Sequence, residues 1–499
     1  MCYVHAMKYE PVIGLEIHAE LKTKTKMFCY SLNDPHEQHP TVNICSVCMG
    51  HPGTLPVINE EAVKKVILAG LALNGRIAEF SQFDRKNYFY PDLPKGYQIS
   101  QYQYPLVQGG RLDALQGEKM IRIQRIHLEE DTGRLIHDPD TGSSLVDFNR
   151  AGVPLMELVT EPDFRSGEEV RTFGEELQRI LRYIGVSDAD MEKGQMRVEV
   201  NISLRPEGRE EFGTKVEVKN INSFRAMERA VEYEIKRQRK VLESGEAVVQ
   251  ETRGWDDAKQ ATFSQRVKEG SADYRYFPDP DLPSLRISEI QEFSKNNLQK
   301  SLPELPEARR QRYISSGIKS EDADQFTAYP HLGAFMDAVT AGHSGDKEFI
   351  QRSANYIAND LVNLIRLRHG NGGQVRDADE RDSEIKDISA TSPEFFRKIM
   401  TMIGEDKVSS RAAKDLLLLT ITEKKDPELL ATDHKLIMHA SVNLTSVIHE
   451  ILAKNSGVVA DYKKGKEAAL QFLIGEGMRA LKGAVDPSVL KKLILEKIS

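Results

Sequence analysis

Near the start of the chain, Ile13-Gly-Leu-Glu-Ile-His-Ala-Glu-Leu21 alternates apolar and polar residues without a break. A period of two belongs to an extended strand with one face in a core and the other facing water. Ile13, Leu15, Ile17, Ala19 and Leu21 share one face; Glu16, His18 and Glu20 share the other. Met196–Leu204 repeats the pattern, with Arg197, Glu199, Asn201 and Ser203 on its polar side, and Thr214–Lys219 is a third, shorter strand. Strands with one polar face suit an antiparallel sheet covered on one side only. The open side is where a site can form.

Helices lie between these strands. Ser166-Gly-Glu-Glu169 is a capping box, followed by apolar Val170, Phe173, Leu177, Ile180, Leu181 and Ile184 and a stop at Gly185. Ser223 or Asn222 caps a second long helix that runs through Met227, Val231, Ile235 and Leu242 to Gly245. Beyond Asp279-Pro-Asp-Leu-Pro283 and Ser301-Leu-Pro-Glu-Leu-Pro306, strand signals nearly vanish and helical patterns dominate. A polar stretch, His369–Ser383, reads as a loop within this helical half. At 499 residues, more than one domain is expected.

The net charge of −8 excludes a uniformly basic nucleic-acid binder, so any RNA contact must come from local patches. The first ten residues lack the charged and apolar regions of a secretory signal, and no run reaches the ~18 apolar residues of a membrane span. The 4 cysteines do not form a disulfide framework. These features read as a cytosolic protein.

Phe83–Pro105 fits neither regular element, because Pro91, Pro94 and Gly96 break a helix and its aromatic residues do not alternate. Its aromatics suggest stacking surfaces, and Arg85, Lys86 and Lys95 suggest an anion, hence nucleotide or RNA. Glu16 and His18 lie on one strand face, roughly 6–7 Å apart at the backbone. Carboxylate oxygens suit a hard cation such as Mg²⁺, with imidazole a minority ligand. His127-Leu-Glu-Glu-Asp131 and Glu157, a carboxylate in the apolar run Pro154–Val159, could complete such a site. By spacing alone, a metal cluster and a salt-bridged sheet face are equally supported. Cys45-Ser-Val-Cys48, with Cys29, has the spacing of half a zinc ribbon, for which His36, His39, His51 or Cys2 could complete the set; three small buried hydrophobes is the other reading. No Walker-type phosphate loop and no Cys/His/Glu glutaminase arrangement occurs.

Val12-Ile-Gly-Leu-Glu-Ile-His18, Arg85-Lys-Asn-Tyr-Phe-Tyr-Pro-Asp92, Gly96-Tyr-Gln-Ile-Ser-Gln101, His127–Asp131, Asp147-Phe-Asn-Arg150, Lys219-Asn-Ile-Asn-Ser-Phe224 and Asp273-Tyr-Arg-Tyr-Phe-Pro278 occur in one order. Together they resemble the GatB family, found in the glutamyl/aspartyl-tRNA amidotransferases of bacteria (the GatCAB complex). The resemblance implies an α+β fold. A cradle of mixed, largely antiparallel sheet with helices (1–294) would precede a helical linker domain (295–350) and an all-α YqeY-like tail (351–499).

The resemblance also implies a reaction. A GatB chain uses ATP and Mg²⁺ to phosphorylate the side-chain carboxylate of Glu-tRNA(Gln) or Asp-tRNA(Asn). Ammonia from the glutaminase partner (GatA) then displaces the phosphate, and a third, bridging partner (GatC) links the complex. The glutaminase residues missing here would belong to that glutaminase partner. The implied metal ligands are Glu16, His18, Glu130 and Glu157, with Glu129 the neighbouring alternative to Glu130. Glu130 shares strand parity with Ile126 and Leu128, so it can reach the metal only if the strand ends or bulges there.

Lys95 is implied to lie near an ammonia-tunnel exit with Glu130 as its partner, so the implied catalytic set is Glu130, Lys95 and His18. Arg85, Lys86, Tyr88, Arg197, Glu199 and Asn201 are expected to line the cradle. Zinc-binding members carry Cys-x-Cys where this chain has Cys29-Tyr30-Ser31. The expectation is therefore no firmly bound zinc, or a weak site with an unusual fourth ligand. Of a different class is the alternative of a non-catalytic tRNA-binding adapter with a degenerate cradle.

Overall fold

The computed structural model describes residues 8–113, 119–138, 140–267, 274–368, 388, 391–438, 444–480 and 487–498. Cys2, Asp273 and the 369–383 stretch lie outside these residues. The chain forms two compact units, Met1–Leu305 and Pro306–Ser499.

In the first unit, strand β1 (Tyr9–Glu20) leads to helix α1 (Glu60–Ala72), then to a hairpin of β2 (Asp84–Asn87) and β3 (Tyr97–Ser100). Strands β4 (Met120–Glu130) and β5 (Pro154–Thr160) follow, then helix α2 (Gly167–Tyr183). After strands β6 (Met196–Pro206) and β7 (Val216–Ile221) come helix α3 (Phe224–Glu243), strands β8 (Glu251–Asp256) and β9 (Ala261–Val267), and the short β10 (Phe277–Pro278). The main sheet runs β9–β8–β7–β6–β1–β5–β4 and continues into shorter strands. Every neighbouring pair in this run is antiparallel except β7 with β8.

β1 occupies the middle of this sheet because its alternation gives it a face for the core. Ile13, Leu15, Ile17 and Ala19 are buried and pack in one cluster with Val66 and Ile67 of α1, Phe173 and Leu177 of α2, and Met227 and Val231 of α3. Burial of each large apolar side chain is worth about 1.5–3 kcal/mol. Both long helices begin where the sequence places them. The Ser166 and Ser223 side chains accept from the backbone N–H of Glu169 and Ala226. Glu169 does not complete a reciprocal capping box: its carboxylate accepts from Arg165 N, at 2.7 Å, and from Lys119.

Phe83–Pro105 departs from the expected irregular loop. It contains the β2–β3 hairpin, with Lys86 opposite Gln98, and β2 also pairs with β10. The breaking residues Pro91, Pro94 and Gly96 fall in the turn between the two strands.

The second unit is helical among its described residues. One core cluster centres on Phe326, Phe335, Met336, Phe396, Leu416 and Leu417, and a separate one near the C-terminus contains Ile448, Leu473, Leu490 and Ile494. Lys463, Lys464, Lys491 and Lys492 are exposed on helix faces or just beyond a helix end. Asp337 ties the first of these cores together. It accepts from Arg309, from Arg312 Nη1 at 3.0 Å and from Tyr313 Oη at 3.0 Å. Burial opposes its charge, but the Arg312 and Arg309 guanidiniums hold its carboxyl below the usual range. That stabilisation is complete above the unfolded carboxyl value and is lost as pH falls through the depressed folded one. Asp337→Asn is expected to cost about 1–2 kcal/mol at pH 7, allowing for solvent screening. Denaturant unfolding at pH 7 and at pH 3 checks this, because the difference should shrink at the lower pH.

Candidate functional site

The polar face of β1 opens into a cavity of about 550 Å³. Register builds its floor. Arg197 of β6, His18 of β1, Glu157 of β5 and His127 of β4 stand side by side across four strands, and Glu199 stands opposite Glu16. His18 Nε2 lies 3.3 Å from Glu157, 3.7 Å from Glu129 and 3.9 Å from Glu16. His127 Nε2 lies 3.3 Å from Glu157 and 3.7 Å from Glu129. Ser100 of β3 donates to Glu129 at 2.9 Å.

These groups share protons unevenly. Burial, together with the charges of Glu157 and Glu199, pushes Glu16 up to about 7. Burial works against a charged His127, yet Glu157 and Glu129 raise it to about 9. His18 is raised against the same penalty by its bond to Glu157. Glu157 is held well below the carboxylate range, because His127 and His18 outweigh its burial. Two overlapping groups, Glu16–His18–Glu157 and His127–Glu129–Glu157, each bring their ligand atoms within 4.8 Å of one another. The donor set, carboxylates with imidazole, fits a hard divalent cation such as Mg²⁺ or Mn²⁺. Nδ1 of buried His127 has no hydrogen-bond partner, so that ring is held through Nε2 alone.

Glu129 and Glu130 part company. β4 pairs regularly through Glu130 opposite Pro154, and the register shift between β4 and β5 lies far away, at Val159/Thr160. Alternation therefore sends Glu129 into the cavity with His127 and turns Glu130 to the other face. Glu130 hydrogen-bonds Lys95 in a buried ion pair and accepts from Ile99 N at 2.9 Å. Neither Glu130 nor Lys95 lines the cavity. The bulge needed to bring Glu130 to Glu16, His18 and Glu157 is absent from β4 around Glu130.

The other expected lining residues divide. Lys86, Tyr88, Arg197 and Glu199 line the cavity. Arg197 donates to buried Asp131 at 2.7 Å, and Lys219 donates to Glu199 at 2.8 Å. Arg85 points away and clamps Asp279 and Asp281, both at 2.8 Å, with its guanidinium 4.4 Å from the centre of the Tyr97 ring. Asn201 pairs with Gly14 and Glu217 in the strand register, beyond the cavity lining. His127, Arg125, Tyr274 and Tyr276 also line it. The first two share strand parity with Glu129, which is the signal that could have found them.

The thiols of Cys29, Cys45 and Cys48 gather within 4.8 Å of one another. The Ser31 hydroxyl lies 3.9 Å from Cys48 Sγ, and the ammonium of wholly buried Lys26 lies 4.0 Å from it. A hydrogen bond from Cys29, with Lys26 nearby, pulls the Cys48 thiol down to about 5 against its burial. No histidine joins this group among the described residues. A buried lysine beside Cys48 disfavours a further cation there.

Residues 11–292 match the family model described as the GatB/GatE catalytic domain, and residues 372–498 match the GatB domain. The chain belongs to the GatB family. The B chain of an aspartyl/glutamyl-tRNA(Asn/Gln) amidotransferase from Caldicellulosiruptor saccharolyticus is 43% identical over 498 residues, covering 99% of each chain. Proteins of the same name from Carboxydothermus hydrogenoformans and Thermomicrobium roseum are 42% and 43% identical, again over 99% of each chain. The catalytic-domain match contains every residue named in the floor of the cavity.

A divalent cation entering the cluster has to displace the protons held by Glu16 and His18. Mn²⁺ affinity is therefore expected to rise as pH climbs through about 7, where Glu16 ionises, and on above the ordinary imidazole range, where His18 does, by up to about tenfold per pH unit for each proton displaced. Calorimetric titration in buffers of different ionisation enthalpy measures the release; a pH-independent affinity would count against this site.

Proposed function

We propose that this chain is the carboxylate-activating component of a tRNA-dependent amidotransferase. It acts on Glu-tRNA(Gln), Asp-tRNA(Asn) or both, in complex with a glutaminase partner (GatA) and a bridging partner (GatC). The observation that carries this reading is the convergence of Glu16, Glu129 and Glu157 with His18 in an open cavity on the polar face of the sheet. Membership of the GatB family supports the same reading.

A side-chain carboxylate is a poor electrophile, so the reaction has two displacements. An oxygen of the misplaced Glu or Asp side chain attacks the γ-phosphorus of ATP. The bond to the bridging oxygen breaks, and ADP leaves with the electron pair. The lone pair of ammonia then attacks the acyl carbon, the carbon–oxygen bond to phosphate breaks, and the nitrogen loses one proton to give the amide. Mg²⁺, held by Glu16, His18, Glu129 and Glu157, would offset negative charge on the transferred phosphoryl group.

His127 positions Glu129 and Glu157, and Arg197, at the other end of the row, holds Asp131. Lys95 and Glu130, on the opposite strand face, are assigned to the approach of ammonia. No zinc is assigned to the cysteine cluster. The helical linker (295–350) and YqeY-like tail (351–499), the latter contacting tRNA, belong to the same reading, as does a cytoplasmic location. Among the described residues no helix is long and apolar enough to cross a membrane.

In the assembled complex, Glu157→Gln or His18→Ala is expected to lower ATP-dependent transamidation by about 10²-fold or more while glutamine hydrolysis continues. Parallel loss of both activities would argue against separate sites. Lys95→Ala is expected to impair transamidation at unchanged tRNA affinity. Filter binding of the misacylated tRNA checks this, since a loss confined to tRNA binding would make the hairpin an RNA-stacking element instead.

A further inference from the structure

Alternation in β2 turns Arg85 outward to Asp279 and Asp281 and sends Lys86 into the cavity. The other cations there have carboxylate neighbours: Arg197 has Asp131, Lys219 has Glu199, and Arg125 lies 3.7 Å from Glu157. Among the described residues, the Lys86 ammonium has neither a hydrogen bond nor a carboxylate within ion-pair distance; Glu129 and Glu157, farther off, hold its charge against burial. It rests on aromatic rings instead, 5.1 Å from the centre of Tyr274 and 6.0 Å from that of Tyr88. Asn87 fixes this arrangement from the next position. Its backbone N–H donates to Tyr274 O at 2.9 Å and its side-chain amide to Arg275 O at 2.9 Å. Tyr276 stacks on Tyr102 with centroids 4.4 Å apart. Ring faces hold an ammonium in place without neutralising it.

We propose that Lys86 is the anion-facing cation of this cavity and binds the phosphoryl group transferred from ATP. This rests on the carboxylate-activating reading above. A phosphoryl group suits the position better than the acceptor carboxylate, because its several charged oxygens can meet a cation held by the acidic floor and an ammonium above it at once. Lysine suits a moving group, since it is a compact charge with rotatable donors. Lys86 stays charged throughout and exchanges no proton with the substrate.

The test uses the assembled heterotrimer with wild-type, Lys86→Met and Lys86→Arg chains. Lys86→Met is expected to lower kcat of ammonia-supported transamidation by about 10²–10³-fold. It should also weaken a non-hydrolysable ATP analogue, titrated with Mg²⁺ in a calorimeter, by about tenfold, consistent with loss of one charged contact. KM for misacylated tRNA should stay within about threefold, and Lys86→Arg should recover about tenfold of the lost kcat. Analogue affinity and kcat both within threefold of wild type would overturn the proposal. So would a loss seen only in KM for the tRNA, which would place Lys86 on the acceptor. If Lys86→Met does not assemble, Lys86→Gln, which keeps bulk and drops the charge, is read in the same way. A wild-type heterotrimer that consumes no ATP in the presence of misacylated tRNA would overturn the carboxylate-activating reading itself, a separable result.

Discussion

The central strand of the first unit does two jobs with one alternation. Ile13, Leu15 and Ile17 are sealed into the core, so Glu16 and His18 must face the other way. A slip of one residue would expose those side chains and bury two carboxylates and an imidazole against α1–α3, at a cost of several kcal/mol. The neighbouring strands are held in register by the same packing. The row Arg197–His18–Glu157–His127 is thus fixed by hydrophobic burial on the far side of the sheet.

Crowding carboxylates on that face carries an electrostatic penalty. The protein offsets it in two ways. At the margins, fixed cations take carboxylate partners, as Arg197 does with Asp131 and Lys219 with Glu199 and Glu217. At the centre, Glu157 is shared by two imidazoles, and Glu16 is pushed towards neutrality. A cluster whose charge is balanced by exchangeable protons can accept a cation without rebuilding its surroundings. A cluster locked by guanidinium groups could not.

The end of β4 shows how little backbone is needed to separate two environments. Glu129 and Glu130 are adjacent, yet one meets His127, His18 and Ser100 while the other meets Lys95 and Ile99 N. The β2–β3 hairpin supplies partners on both sides. Ser100 reaches the cavity-facing glutamate, and the turn before β3 delivers Lys95 to the one buried on the opposite face. The hairpin is accordingly less a separate stacking platform than a brace at the strand end.

Much of this was legible in the residues alone. Periodicity located β1, β6 and both long helices and put Glu16 and His18 on one polar strand face, and Glu157 stood out as a carboxylate in an apolar run. Parity also carried a warning about Glu130, because Ile126 and Leu128 share its face. What periodicity could not supply was contact across large separations. Lys86 and Tyr274 are brought together only when β2 pairs with the strand at Phe277–Pro278, and Arg85 finds Asp279 and Asp281 only in the folded chain. Which side chains share a strand face follows from the order of residues, because two-residue alternation is local. Which faces meet, which of two adjacent glutamates enters the cavity, and which of two adjacent cations lines it were settled by the folded arrangement. Those outcomes depend on pairing between distant strands, whose order no local pattern encodes.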